Sequence, residues 1–365
     1  MTNGDSVRAF IGTFRRPGGA GIYSVELDRR TLKFGQVEIA AQVLDPIYLV
    51  FGAEDRVLYS VGAIDLETRQ GLLVAHEHDA NSGQLNEIDR RPTGGAAACH
   101  IAFDGSSGTV AAANYLGGSI SAIGTDGDGR FAESVQAIQH RGASVNPQRQ
   151  SGPHPHSVIF DPAGTRAIAC DLGTDQLLQY DLSQQSAAPL CSPPVPFACT
   201  GGSGPRHLVF HPSGAYVYVV NELSSTITGI GYRQDKGLTS AFGTWSTVPP
   251  SWQGMNLPAA IRLSQSGDRL YVSNRGHDSI ASFTVDPASG DLEPAGFCAS
   301  GGKVPRDFAL TPDGRAMVIA HQESGSVVAL SIDGESGLPA EITDKVDIPG
   351  AVAVLFGSVG AGETA

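Results

Sequence analysis

The chain has 365 residues, with 24 lysines and arginines against 37 aspartates and glutamates, and its formal net charge is −13. Because no stretch is rich in Lys or Arg, nucleic acid is excluded as an expected partner. The amino-terminal sequence lacks the basic and apolar parts of an export signal, and no segment is apolar over the width of a bilayer. We therefore expect a cytoplasmic protein that has no membrane partner.

Short runs of β-branched and aromatic residues occur along the whole chain and indicate strands. Examples are AYVYVV (215–220), RLYVSN (269–274) and SIASFTV (279–285). The 46 glycines and 22 prolines separate such runs and form no low-complexity tracts, which is typical of turns between strands. Helical periodicity is hard to find in any segment. The sequence therefore predicts an all-β protein.

One unit occurs six times: a proline, four residues, a large apolar residue, a short turn that usually contains Gly, and a second strand. In chain order the copies are PIYLVFGAEDRVLYSVG from Pro46, ACHIAFDGSSGTVAAAN from Ala98, PHSVIFDPAGTRAIACD from Pro155, PRHLVFHPSGAYVYVVN from Pro205, PAAIRLSQSGDRLYVSN from Pro258 and PRDFALTPDGRAMVIAH from Pro305. The copy at Ala98 has lost the proline. The apolar residues are Phe51, Phe103, Phe160, Phe210, Leu263 and Leu310, at intervals of 52, 57, 50, 53 and 47 residues. A period near fifty residues indicates one structural unit per copy.

Each hairpin is followed by a third strand, a turn with Asp and Gly, and a fourth strand, as in residues 281–296. Four antiparallel strands per unit are typical of a β-propeller blade. RAFIGTF (8–14) looks like a second strand without its first, and GAVAVLFG (350–357) looks like an inner strand without its partner. Together these two segments would form a blade that closes the ring without a free edge. The sequence therefore predicts that residues 1–365 form a single seven-bladed β-propeller domain.

The first strand of a blade lines the central channel, and antiparallel pairing places its start beside the end of the second strand. Side chains from both places should therefore open on one face of the ring. The polar members of this set are His156, Arg206, Glu222, Arg275, Arg306 and Gln322, together with Asp171, for which capping of its turn is the alternative. Arginine suits carboxylate or phosphate, and His or Glu can move protons near neutral pH. An anionic small molecule is the expected partner.

No metal and no cofactor are expected at this face. His154 and His156 alternate with prolines, but the neighbouring arginines would repel a cation. The sequence lacks a phosphate-binding loop, a dinucleotide fingerprint and the G-x-S-x-G motif of serine nucleophiles. The five cysteines are widely scattered, so we expect them to be small buried hydrophobic residues.

Three long stretches, residues 140–182, 201–226 and 270–283, resemble the seven-bladed lactonase family. This family includes the propeller-type 6-phosphogluconolactonases and the fungal 3-carboxy-cis,cis-muconate lactonising enzymes. The resemblance extends over essentially the whole chain. It implies that His156 transfers protons, that Glu222 is the active-site glutamate, and that Arg206 and Arg275 bind substrate. Arg149, Gln150 and His154 belong to the same signature and are expected to line the pocket.

The leading functional hypothesis is hydrolysis of a sugar-acid lactone, above all 6-phosphogluconolactone in the oxidative pentose phosphate route. Either Glu222 or His156 would activate water, the other would protonate the leaving oxygen, and Arg206 or Arg275 would stabilise the oxyanion. Arg149 and Arg306 are the candidates for the phosphate. Two alternatives stay open: cyclisation of a carboxylated muconate by the same residues, and a propeller that only binds a partner protein. The sequence does not determine the oligomeric state.

Overall fold

The computed structural model describes residues 6–183 and 188–357, and within them 28 strands form seven four-stranded sheets. The first four blades are β4–β7 (Tyr48–Phe51, Val57–Ala63, Gln70–His78, Leu85–Ala96), β8–β11 (Ala98–Asp104, Thr109–Asn114, Ser119–Gly124, Gln136–Gln139), β12–β15 (Pro155–Phe160, Arg166–Asp171, Gln176–Asp181, Val195–Ala198) and β16–β19 (Pro205–Phe210, Tyr216–Asn221, Thr226–Arg233, Gly237–Ser246). Blades 5 and 6 are β20–β23 (Leu257–Leu263, Arg269–Arg275, Ser279–Val285, Leu292–Ala299) and β24–β27 (Pro305–Leu310, Ala316–His321, Ser326–Ile332, Pro339–Asp347). A 3-10 helix, Ala53–Asp55, connects the first two strands of blade 1.

Blade 7 consists of β28 (Ala351–Phe356), β1 (Ser6–Thr13), β2 (Ile22–Asp28) and β3 (Phe34–Ala41), in that spatial order. β28 pairs antiparallel with β1, so that Phe10 lies opposite Leu355 and Ile11 opposite Val354. The innermost strands of neighbouring blades also contact one another all the way round, including β28 against β4 and β24 against β28. The predicted seven-bladed propeller, closed by strands from opposite ends of the sequence, is confirmed.

Burial changes from the inner to the outer strands of a blade. In β25 every residue is buried, because both faces of this strand pack against neighbouring blades. In β27, the outermost strand of the same blade, most residues are exposed or half-buried. Continuous apolar runs such as AMVIAH therefore mark the inner strands, whereas polar residues are tolerated at the rim. Within the described residues no helix is long and apolar enough to cross a membrane.

The innermost strands of blades 2, 3, 4 and 6 have a β-bulge near their start, and this bulge determines which side chain reaches the functional site. In blade 3, Pro155 lies opposite Asp171 and Ser157 lies opposite Cys170, so His156 is the extra residue. The same register shift leaves Cys99 unpaired in blade 2, Arg206 in blade 4 and Arg306 in blade 6. A bulge redirects the side chain of its extra residue. Equivalent bulges in different blades therefore bring these side chains to one place on the axis.

Candidate active site

A cavity of about 450 Å³ opens at the face of the ring where the second strands of the blades end. Its size lies within the range typical of small-molecule sites. Six of the ten predicted site residues line it: Arg149, His156, Glu222, Arg275, Arg306 and Gln322. The other four, Arg206, Gln150, His154 and Asp171, lie behind this lining.

The carboxylate of Glu222 joins three guanidinium groups at the cavity. Arg149 Nη2 donates to Oε1 at 2.5 Å, whereas Arg206 Nε and Arg275 Nη2 donate to Oε2 at 3.0 and 2.6 Å. Burial alone would raise the pKa of Glu222, but the charges of Arg275 and Arg206 outweigh it and hold the pKa far below its ordinary value. Glu222 is therefore an anion with both oxygens engaged.

Arg206 forms the floor beneath the Glu222 carboxylate, with a side chain that is only 2% exposed. Its Nη1 donates to the carbonyl oxygen of Ala259 at 2.5 Å and to Nε2 of His207 at 3.1 Å. Burial and the neighbouring Arg275 lower the pKa of Arg206 to about 9. The group still carries its proton at neutral pH. Arg206 is thus a charged donor fixed from three sides.

His156 lines the cavity beside this cluster and is 6% exposed. Its Nδ1 lies 4.0 Å from the Sγ of Cys99, and in the described part of the chain Nε2 has no hydrogen-bond partner. Burial, and then the charge of Arg206, lower the pKa of His156 well below 6.5. The imidazole is therefore neutral at physiological pH and able to accept a proton. Burial also raises the pKa of the Cys99 thiol to about 12, so it is a poor nucleophile.

Arg306 also lines the cavity, under different constraints. Its guanidinium stacks 5.2 Å from the centroid of the Phe14 ring, and Nη1 donates to Oε1 of Gln322 at 3.2 Å. No carboxylate among the described residues lies within ion-pair distance of it. Burial and the charge of Arg275 lower its pKa to about 10, which leaves it charged at neutral pH.

The loop between blades 2 and 3 holds Arg149 over the cavity, and two predicted pocket residues act in this support. Gln150 is fully buried, where its Nε2 donates to the carbonyl of Leu172 and its Oε1 accepts from the amide of Asn146. His154 stacks on the ring of Tyr115 at 4.7 Å, and its Nδ1 lies 2.9 Å from the carbonyl oxygen of that residue. Gln150 and His154 therefore hold the loop behind the cavity wall, contrary to the expectation that they line the pocket.

Asp171 also lies outside the cavity, and strand register explains the difference. It pairs with Pro155, just as Asn221 pairs with Pro205 and Asn274 with Pro258. The residue of blade 3 that corresponds to Glu222 is therefore Leu172, one position further on. The Asp171 carboxylate is fully buried, accepts from the amides of residues 154, 173 and 174, and lies 2.6 Å from His140 Nδ1. The alternative reading of Asp171 as a turn-capping residue describes it correctly.

Sequence reasoning missed several residues of the cavity. Tyr115 follows Asn114 at the same register as Glu222, and its hydroxyl accepts from Arg149 Nη2 at 3.4 Å. This position could have been found by aligning the ends of the second strands. Arg16 and Arg69 also line the cavity, as does Asp45. Arg16 and Arg69 lie in turns that connect second and third strands, beyond the strand ends that the sequence argument considered.

His207 lies at the centre of the ring, where side chains of several blades meet. Its ring centroid is 5.4 Å from that of His156, 5.2 Å from His100 and 5.8 Å from Tyr48, each of which belongs to another blade. Across residues 6–183 and 188–357, no group of three or more His, Cys, Asp or Glu side chains could hold a metal ion. The cavity itself offers arginine, histidine and carboxylate side chains.

Comparison with known proteins identifies the family of the chain. The family model described as "Lactonase, 7-bladed beta-propeller" matches residues 8–356. The chain belongs to this lactonase family. It is 32% identical over 351 residues to a 6-phosphogluconolactonase of Bacillus subtilis, covering 95% of this chain and 97% of the relative. The resemblance inferred from the sequence is confirmed.

Two further proteins are similar to this chain over nearly its whole length. A 6-phosphogluconolactonase of Formosa agariphila is 29% identical over 353 residues, covering 91% of this chain and 96% of the relative. The structure of a periplasmic gluconolactonase, PpgL, of Pseudomonas aeruginosa superposes with a TM-score of 0.89 at 29% identity, covering 97% of this chain and 99% of that one. The chain is thus an enzyme of a lactone hydrolase family.

Proposed function

We propose that the enzyme hydrolyses a sugar-acid lactone, specifically 6-phosphogluconolactone, the lactone step of the oxidative pentose phosphate route. The observation that supports this most directly is the Glu222 carboxylate with its three guanidinium groups beside the neutral imidazole of His156. Hydrolysis of a lactone needs a base for water and positive charge for an oxyanion. Relatives named 6-phosphogluconolactonase point to the phosphorylated substrate.

His156 is the proposed general base, because its imidazole is neutral at the operating pH and Nε2 has no partner among the described residues. Nε2 takes a proton from a water molecule while the water oxygen bonds to the lactone carbonyl carbon. The carbonyl oxygen becomes an oxyanion next to the guanidinium of Arg275, which lines the cavity, and Arg206 lies behind this lining. The bond to the ring oxygen then breaks, and the imidazolium of His156 returns its proton to that oxygen. The product is an open hydroxy acid.

In this proposal Glu222 is not the base. Both of its oxygens accept hydrogen bonds from arginines, so neither is free to take a proton from water. Its negative charge instead holds three like-charged groups together at the reacting centre. Preorganised charge of this kind commonly contributes about 3 to 4 kcal/mol per donor to transition-state stabilisation.

The test couples the purified enzyme to 6-phosphogluconate dehydrogenase and supplies freshly generated 6-phosphogluconolactone. We expect product formation well above spontaneous opening for the wild-type enzyme and near the spontaneous rate for His156→Gln. Both proteins are prepared from the same host, so a contaminating lactonase would raise both rates equally. A wild-type rate equal to spontaneous opening would remove this substrate.

A further inference from the structure

We propose that the phosphate of the substrate is bound by an outer arginine set, Arg16, Arg69 and Arg306, on the side of the cavity opposite Glu222. This inference rests on the proposed function and assigns a specificity site within it. All three residues line the same cavity as His156 and Glu222.

The arginines of the site divide into two groups by their partners. Arg149, Arg206 and Arg275 each donate to the Glu222 carboxylate and form the inner arginine set. Among residues 6–183 and 188–357, none of the outer arginine set has a carboxylate within ion-pair distance. The outer set therefore carries positive charge that the described protein does not neutralise by direct contact.

The position of each blade separates the two groups in space. His156 lies in a strand of blade 3 and Arg275 in a strand of blade 5, and Glu222 directly follows a strand of blade 4. Arg306 begins blade 6, whereas Arg16 and Arg69 lie in turns of blades 7 and 1. Because the blades follow one another around the ring, the outer arginine set lies along blades 6, 7 and 1, whereas His156, Glu222 and Arg275 lie along blades 3 to 5.

Arg306 is held ready for an anion. The ring of Phe14 supports one face of its guanidinium, and Gln322 accepts from a single nitrogen, Nη1. Arg16 follows Phe14 by two residues and lines the same cavity. The carboxylate on this side, Asp45, accepts from the backbone amide of Arg15 at 2.6 Å, which fixes it to the turn.

The charge balance of the cavity favours a phosphate. Five arginines and two carboxylates line it, in a chain whose formal net charge is −13. A lactone ring is neutral, whereas a phosphate monoester has nearly two negative charges and oxygens that match the fork of a guanidinium. The inner set faces the reacting carbonyl in our proposal, so the outer set is the place for the phosphate. Arg149, the other phosphate candidate from the sequence, already donates to Glu222.

The kinetic test compares the wild-type enzyme with the double variant Arg16→Ala and Arg69→Ala. Proton release measures kcat/KM for 6-phosphogluconolactone and for glucono-δ-lactone, which lacks the phosphate. We expect the ratio of the two values to fall by about ten-fold or more, mainly through KM for the phosphorylated lactone. The control is Arg15→Ala, which removes one positive charge from an exposed neighbour that does not line the cavity. An unchanged ratio in the double variant would overturn the proposal.

A binding measurement separates the phosphate site from the lactonase function. Calorimetry with 6-phosphogluconate and with gluconate gives the preference for a phosphorylated ligand without any turnover. We expect the wild-type enzyme to prefer 6-phosphogluconate and the double variant to lose about ten-fold of this preference. That result would support the phosphate site even if the wild-type enzyme opened no lactone. Equal affinity of the wild-type enzyme for the two acids would refute the phosphate site even if lactones were hydrolysed.

Discussion

The guanidinium of Arg206 and the carboxylate of Glu222 meet inside the propeller, with Nε 3.0 Å from Oε2 and side chains that are 2% and 4% exposed. Taking two such charges out of water is costly, and their attraction alone seldom stabilises a fold. Here the same carboxylate also binds Arg149 and Arg275. We infer that Glu222 is retained because it keeps three guanidinium groups at the reacting centre.

Replacing Glu222 by Gln should therefore disorganise the inner arginine set. The amide keeps the shape of the side chain but removes the negative charge that offsets Arg149, Arg206 and Arg275. We expect kcat/KM for the lactone to fall at least about a hundred-fold and the free energy of unfolding to fall by roughly 3–5 kcal/mol. Steady-state kinetics and denaturant unfolding measure the two effects. Near-normal kcat/KM in Glu222→Gln would contradict this role.

The fold was predictable because each blade repeats the same local chemistry. The copy from Pro205 contains a strand, a Gly turn and a second strand of alternating Val and Tyr, and the structure forms β16 and β17 there. Closure by β28 and β1 was also predictable, since each terminal segment resembles one half of the missing hairpin. The period, the turns and the β-branched runs all specify one architecture.

The site was predictable only in part, because strand register decides which side chain reaches the axis. The sequence predicts that the residue after each proline reaches the channel, and the bulges at His156 and Arg306 agree with this prediction. At the ends of the second strands a shift of one position exchanges a buried residue for a cavity residue, as with Asn114 and Tyr115. Arg16 and Arg69 lie in turns whose path depends on tertiary packing, and the sequence periodicity does not extend to them.

The Asp171→Ala variant tests whether this residue binds substrate or supports the fold. Its carboxylate holds the amides of residues 154, 173 and 174 and contacts His140, all within the protein. Loss of a buried acceptor of several amides should cost about 1–3 kcal/mol of stability or more. We expect a lower Tm, with KM for the lactone within about two-fold of the wild-type value. A large rise in KM without a change in Tm would instead place Asp171 in contact with substrate.

His207 should act as a positioning residue for Arg206. Arginine only donates hydrogen bonds, so His207 Nε2 must accept from Arg206 Nη1 over their 3.1 Å contact. Burial and the charge of Arg206 hold the pKa of His207 well below 6.5, which keeps the ring neutral for this purpose. We expect His207→Leu to lower kcat/KM by roughly ten- to hundred-fold, because the guanidinium loses one of its fixed acceptors. Lactone kinetics, with Tm as the measure of folding, would show this.

The matched variant His207→Gln separates hydrogen bonding from packing. Its amide oxygen can still accept from Arg206, so we expect kcat/KM to recover to within a few-fold of the wild-type value. Equal losses in His207→Gln and His207→Leu would show that the ring matters for its packing against His100 and Tyr48 alone.

The pH dependence of kcat/KM should identify His156 as the base. Only the neutral imidazole accepts a proton from water, so activity is lost as the pH falls through the pKa of His156. Burial and the nearby Arg206 place that pKa well below 6.5, and the acid limb should therefore also lie well below 6.5. Glucono-δ-lactone is the substrate for this profile, because a phosphate ester titrates near pH 6 and would add its own limb.

In His156→Gln this limb should disappear together with most of the activity. His78→Gln is the control, since His78 lies in blade 1 and contacts the backbone of Asp55 away from the cavity. It should keep both the wild-type rate and the wild-type limb. If His156→Gln kept an acid limb and a rate close to those of the wild-type enzyme, another group would have to activate the water. With both Glu222 oxygens engaged by arginines, the cavity would then have to bind substrate in a way that frees this carboxylate.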